Sequence, residues 1–288
     1  MGLAVVAGML LMVGGAQPQE NVLRWIGCDI CKAGFMELEA AEFEKKTGIK
    51  ITLEEAGDSK GLEALAAHDG RYHMGGACRH TLNTPTEIGI KQVPVAWDAL
   101  AIVVHPTNPL ESITLEQVRE IFTGKITNWK QLGGKDLPIV PIERKGRTSG
   151  VGLMARELIF RDQNLDYVST TSLFDSTKPV EQACAKEPAC VAISGISSAR
   201  LQEGLKVLAV DGKAPTRENL VSGSYVLYRP LYLTFPSANP DPRVGRFVKF
   251  ILSPEGQSLM QKSGTVSLSE GKDLWEKYRA SIQSPGKP

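Results

Sequence analysis

The sequence predicts an α/β protein of two lobes with a ligand cleft between them, and three observations predict it. The chain opens as β-α-β-α with short connections, the pattern of a largely parallel sheet flanked by helices. Two long apolar and β-branched stretches, at 93–104 and 225–233, are each suited to passing from one lobe to another. At 288 residues the chain also exceeds one average domain.

Taken in order, Val22-Leu23-Arg24-Trp25-Ile26 reads as a strand that runs into Gly27. A helix follows with Phe35, Leu38 and Phe43 on one face, and Gly48 ends it. Lys50-Ile51-Thr52-Leu53 restores a strand pattern, and Gly61 to His68 suggests a second helix. Val93 to Val104, interrupted by Trp97 and Asp98, is the first crossing, and Tyr225 to Leu233 is the return. Two crossings divide the chain into one lobe at 20–97 plus 226–288 and another at 98–225, with hinges near Trp97-Asp98 and Tyr228-Arg229. The parallel strands then point their carboxyl ends, and the helices their amino ends, into the cleft. The Pro- and Gly-containing tail after Ser281 is expected to be disordered.

Composition excludes several function classes. With 33 basic against 32 acidic side chains there is no global charge bias, so nucleic acid and anionic membranes are not suggested as partners. Residues 3–15, LAVVAGMLLMVGG, are too short an apolar run to span a bilayer comfortably and are followed by polar residues. A signal peptide over 1–19 and a periplasmic or otherwise exported protein are expected, although no Lys or Arg precedes the apolar run. An oxidising compartment favours disulfides, and Cys184 and Cys190 are expected to pair around the Lys186-Glu187-Pro188 turn. Cys28, Cys31 and Cys78 are left, an odd number that cannot be fully paired. No Ser-His-Asp order, nucleophile elbow or paired-carboxylate motif is visible, so an enzyme is not expected.

One segment carries a resemblance. From Pro94-Val95-Ala96-Trp97-Asp98 the sequence passes through Asn108-Pro109 and a helix start to Ile121-Phe122-x-Gly124-x-Ile126-x-x-Trp129. That phrase resembles the central segment of the phosphate-binding protein family of ABC importers. The later YVLYRPLYL and FVKFILSPEGQSLMQKSGTVSL are similar to that family's return strand and closing helix. The resemblance implies a type II periplasmic binding protein fold, capture of phosphate or a related oxyanion, no required cofactor, and a monomer read by an ABC permease or a membrane sensor. The family's second-lobe anion loop corresponds to Arg144-Lys145-Gly146-Arg147-Thr148-Ser149-Gly150. A guanidinium fork, hydroxyls and helix-end N–H groups there suit an oxyanion. Ser59 and Arg79 complete the anion-binding set that the resemblance implies from the first lobe.

The first lobe departs from the family pattern. Gly27-Cys28-Asp29-Ile30-Cys31-Lys32 stands where the family has hydroxyl donors. In His73-Met74-Gly75-Gly76-Ala77-Cys78-Arg79, His73 stands where the family has an acid and Cys78 where it has Ser. The acid matters because it accepts the proton of hydrogen phosphate while rejecting fully ionised anions. Cys28, Cys31 and Cys78, with His68, His73 and His80, are expected to converge at the cleft. Three readings stay open: a plain binding protein with a Cys28–Cys31 disulfide, a thiophilic metal or arsenite trap, and a c-type haem on Cys28 and Cys31 with Lys32 as an axial ligand.

Overall fold

The computed structural model describes residues 21–238 and 241–283. The expected leader, and the tail beyond Gln283, lie outside the described residues. In chain order the strands are β1 (Val22–Gly27), β2 (Lys50–Glu55), β3 (Met74–Ala77), β4 (Ile90–Val104), β5 (Ser112–Ile113), β6 (Val140–Arg144), β7 (Ser172–Phe174), β8 (Cys190–Gly195), β9 (Lys206–Val210), β10 (Tyr228–Pro236) and β11 (Val266–Ser267).

The two-lobed architecture is present and β4 is its spine. β1, β2 and β3 pair in parallel, and β10 and β4 close that sheet with antiparallel pairing. Through Ala99, β4 pairs with β10; from Leu100 onward it pairs with β8 and, further along, with β9. β8, β6 and β7 form the parallel part of the second lobe. A fifteen-residue strand can serve both lobes because residues 99–104 are apolar throughout and buried on both faces.

At the crossing, Asp98 faces Arg229 across the β4–β10 register, and both are fully buried. Beside them Trp97 packs its ring against Tyr228, Trp275 and Tyr278, at centroid distances of 5.8, 4.5 and 5.8 Å. The helix Leu274–Gln283 brings two of those rings and continues past Ser281 into the stretch expected to be disordered.

Two local expectations are corrected. The first helix is a continuous run of Asp29–Cys31, a π-helical turn Lys32–Met36 and Glu37–Thr47. The wider turn changes the angular phase of the apolar stripe, so Phe35, Met36, Ala40 and Phe43 are buried while Leu38 is 40% exposed. Gly48 ends the run in the left-handed region, at φ 69°. The next helix is Asp58–Ala66, starting three residues before the expected Gly61, because Gly57 at φ 80° turns the chain directly out of β2.

Cys184 and Cys190 are joined as expected, tying the end of helix Thr177–Cys184 to the first residue of β8. A loop this short removes little unfolded-state entropy, about 2 kcal/mol on the chain-entropy relation. Replacing both cysteines with alanine should lower the unfolding free energy by about 2 kcal/mol, read by circular dichroism as a lower urea midpoint.

Candidate functional site

Both sheets aim their carboxyl ends at one seam. From the first lobe, Cys28 follows β1, Gly57-Asp58-Ser59 follows β2, and Cys78-Arg79 follows β3. From the second, Arg144 ends β6 ahead of helix Gly150–Ala155, Asp175 and Thr177 follow β7, and Ser197 follows β8. This is the position where open α/β sheets place ligands, and the amino ends of helices Asp58–Ala66, Gly150–Ala155 and Thr177–Cys184 gather there.

The lobes meet closely across the seam. Ser59 Oγ donates to the Thr148 carbonyl at 3.1 Å, and Arg79 Nε donates to the same carbonyl at 2.7 Å. The Lys178 backbone N–H donates to Asp29 Oδ2 at 3.1 Å. His80 Nε2 sits 3.0 Å from the carboxylate of Glu157. A side chain at Gly150 would begin 2.1 Å from Asp58 Oδ2 and 2.5 Å from Cys78 Sγ, so glycine is required there for backbone approach.

The expected anion residues divide into two groups. Arg144 is buried, donates from Nη1 to Thr177 Oγ1 at 2.9 Å and from Nη2 to the Asp175 carbonyl at 2.7 Å, and leaves its buried Nε without a hydrogen-bond partner. Its Nη2 lies 3.3 Å from the Cβ position of Gly57, so it reaches the first lobe. Ser149 is buried and donates its hydroxyl to the Gly146 carbonyl at 3.0 Å, directly before Gly150 starts its helix. Arg79 turns the other way: its guanidinium is held by Glu87 at 2.6 and 3.0 Å, and with Ser59 and the Thr148 carbonyl it links the lobes.

Asp58, directly before the expected donor Ser59, is not singled out by the sequence. It is 1% exposed, and its Oδ1 accepts the Cys78 backbone N–H at 2.5 Å. The loop after β2 therefore places a buried carboxylate beside Cys78. His73 does not take that place. It precedes β3, at the opposite end of the strand from the cleft, where its Nδ1 accepts the Arg24 backbone N–H at 3.0 Å and its Nε2 lies 3.7 Å from Asp241.

The thiols converge and the imidazoles do not. Cys28, Cys31 and Cys78 are fully buried free cysteines, so the expected Cys28–Cys31 disulfide is absent. Cys28 Sγ instead accepts the Cys31 backbone N–H at 3.3 Å and caps the helix. Burial raises the Cys28 thiol far above its ordinary range and pushes Cys31 up to about 12. His68 adopts a positive φ at the end of its helix, and His80 is committed to Glu157. A c-type haem does not fit these residues. The thiols are enclosed, Cys31 Cβ packs against the Gly76 backbone, and Lys32 Nζ is bonded to Glu55 rather than presented as an axial ligand.

An open cleft of about 210 Å³ lies nearby between the lobes, lined by Asp29, Lys32, Glu55, Lys178 and Glu181. Burial raises the Asp29 carboxyl and brings Glu181 to about 7, while the bond from Lys32 lowers Glu55.

Comparison with known proteins agrees with this fold. A family model described as PBP superfamily domain matches residues 32–255. The chain is 27% identical over 225 residues to the phosphate-binding protein PstS of Borreliella burgdorferi, covering 76% of this chain and 80% of that protein. It is 29% identical over 287 residues to Protein SphX of Synechococcus elongatus, covering 92% and 83%. A solved structure of a putative phosphate ABC transporter substrate-binding protein with bound phosphate, from Clostridium perfringens, matches with a TM-score of 0.76 at 28% identity, over 85% of this chain and 99% of that one.

The His80–Glu157 contact makes the lobe seam sensitive to pH. Burial alone would lower the imidazole pKa, but the hydrogen bond and charge of Glu157 outweigh it and the net direction is upward. A raised histidine contributes stability that is complete below its unfolded pKa and is lost as pH rises through the folded one. Replacing His80 with Gln should therefore destabilise the protein more at about pH 5.5 than at about pH 8.5, read from thermal midpoints.

Proposed function

The chain belongs to the PBP superfamily, and from that premise we propose that it is an exported solute-binding protein that captures phosphate between its lobes for an ABC importer. The observation that carries the reading is Asp58, a buried carboxylate at the seam, set against the start of helix Gly150–Ala155 in the opposite lobe. Arg144 and the N–H groups at that helix start supply positive potential for an oxyanion. Asp58 accepts the proton of hydrogen phosphate and repels an anion that carries none. The relatives with phosphate in their names support the ligand class.

In this reading the first-lobe and second-lobe residues have separate duties. Arg144, Ser149, Gly150 and Asp58 hold the anion. Ser59, Arg79 and the Thr148 carbonyl latch the lobes once they meet, and the Asp29–Lys178 and His80–Glu157 contacts extend that latch. The lobes part at the change of β4 partners between Ala99 and Leu100, with the return beside Tyr228. Ligand binding shifts the hinge toward the closed form, which a membrane permease then reads as a monomer. Among the described residues no helix is long and apolar enough to cross a membrane.

Calorimetric titration tests the assignment. Phosphate should bind at one per chain, and Arg144→Met should weaken it by about 2–5 kcal/mol because the guanidinium is buried in the seam. Asp58→Asn should reduce the preference for phosphate over sulfate while leaving the protein folded. Equal affinity for phosphate and sulfate in the unaltered protein would refute the role given to Asp58.

A further inference from the structure

The thiol cluster is not used by oxyanion capture, yet its geometry is specific. Cys28 Sγ, Cys78 Sγ and a carboxylate oxygen of Asp58 lie within 4.8 Å of one another, and all three residues are buried. They come from three loops at the carboxyl ends of β1, β3 and β2, which the parallel register of the first sheet brings side by side. We propose that Cys28, Cys78 and Asp58 form a binding site for a soft divalent cation of the zinc class, at the floor of the interlobe seam.

The donor set and its spacing point to such an ion. Tetrahedral zinc takes thiolate at about 2.3 Å and carboxylate at about 2.0–2.2 Å, which separates two sulfur ligands by roughly 3.8 Å. A contraction of about 1 Å from the outer limit of the observed spacing closes the set. Two thiols and a carboxylate suit a dication. The ion enters as the two thiol protons leave, M²⁺ + 2 RSH → M(SR)₂ + 2 H⁺, so the net charge of the buried cluster does not change. A metalloid such as arsenite would use three thiols, and Cys31 lies outside the close set.

The surroundings also fit. The guanidinium of Arg229 is fully buried at the same floor, where its Nη2 lies 3.4 Å from Asp98 Oδ2. Gly150 of the second lobe covers Asp58 and Cys78, so the ion enters when the lobes are apart. Asp58 is shared with the anion role proposed above, and the two ligands are therefore thermodynamically linked. The zinc-loaded protein binds phosphate more weakly than the metal-free protein.

The test uses reduced, metal-free full-length protein titrated with Zn²⁺ against a chromophoric chelator, and with Co²⁺ followed by its thiolate charge-transfer absorption. One equivalent should bind with release of about two protons. Cys28→Ser or Cys78→Ser should abolish stoichiometric binding, whereas Cys31→Ser should retain it. If a serine variant fails to fold, the cobalt spectrum of the intact chain still counts its thiolate ligands. Absence of stoichiometric Zn²⁺ binding, binding that survives in Cys28→Ser, or stoichiometric capture of arsenite without zinc would each overturn the site. Phosphate titration of the metal-free protein separates the two proposals, since it reports on the anion reading without the ion.

Discussion

The buried Asp98–Arg229 pair is the constraint around which the rest of the molecule is arranged. The two residues face each other where β4 and β10 run side by side, both fully buried, with Nη2 and Oδ2 3.4 Å apart. Taking two ions out of water costs several kcal/mol each, and the cost is recovered only with good partners. Asp98 Oδ1 has them: the Ser197 backbone N–H at 3.1 Å and its hydroxyl at 2.5 Å, both from the short helix Ile196–Ala199 that follows β8 in the second lobe. The pair thus ties the crossing strand, the returning strand and the second lobe at one point. Its charge also reaches Cys78 and Cys28 at the cleft floor.

Around that fixed point the lobes need few contacts to define a closed state. The latch is built from short polar links rather than a broad apolar face. Such links form and break at modest net free energy, because each exchanges with water when the cleft opens. A hinge that must respond to one small anion requires that balance, since a ligand shifts the equilibrium only by its differential affinity for the two forms. The glycines at the seam serve the same end. Gly57 beside Arg144 and Gly150 beside Asp58 let the backbones of opposite lobes approach without a side chain between them.

Much of this fold is legible in the sequence because it rests on local signals. The alternation of Val22 to Ile26, the left-handed stop at Gly48 and the long apolar run through Val104 each state a strand, an end or a crossing directly. The Cys184–Cys190 pair follows from short spacing across a turn. The site is less legible because its members become neighbours only through register. Asp58 reads as a loop residue until β1, β2 and β3 place it beside Cys78. His73 invites assignment to the cleft by its position in a motif, yet it lies before β3. His73 and Cys78 flank the four-residue β3, five residues and roughly 16 Å apart along extended chain, which removes His73 from the thiols altogether. Leu38 was misjudged for a related reason, since a π-helical turn cannot be seen in apolar spacing alone.

The central claim is that an anion with a proton to give closes these lobes. Small-angle X-ray scattering of the full-length protein, with and without saturating phosphate or sulfate, tests it most directly. The account predicts a smaller radius of gyration with phosphate and an unchanged one with sulfate. Phosphate that binds without compaction, or equal compaction by both anions, would contradict it.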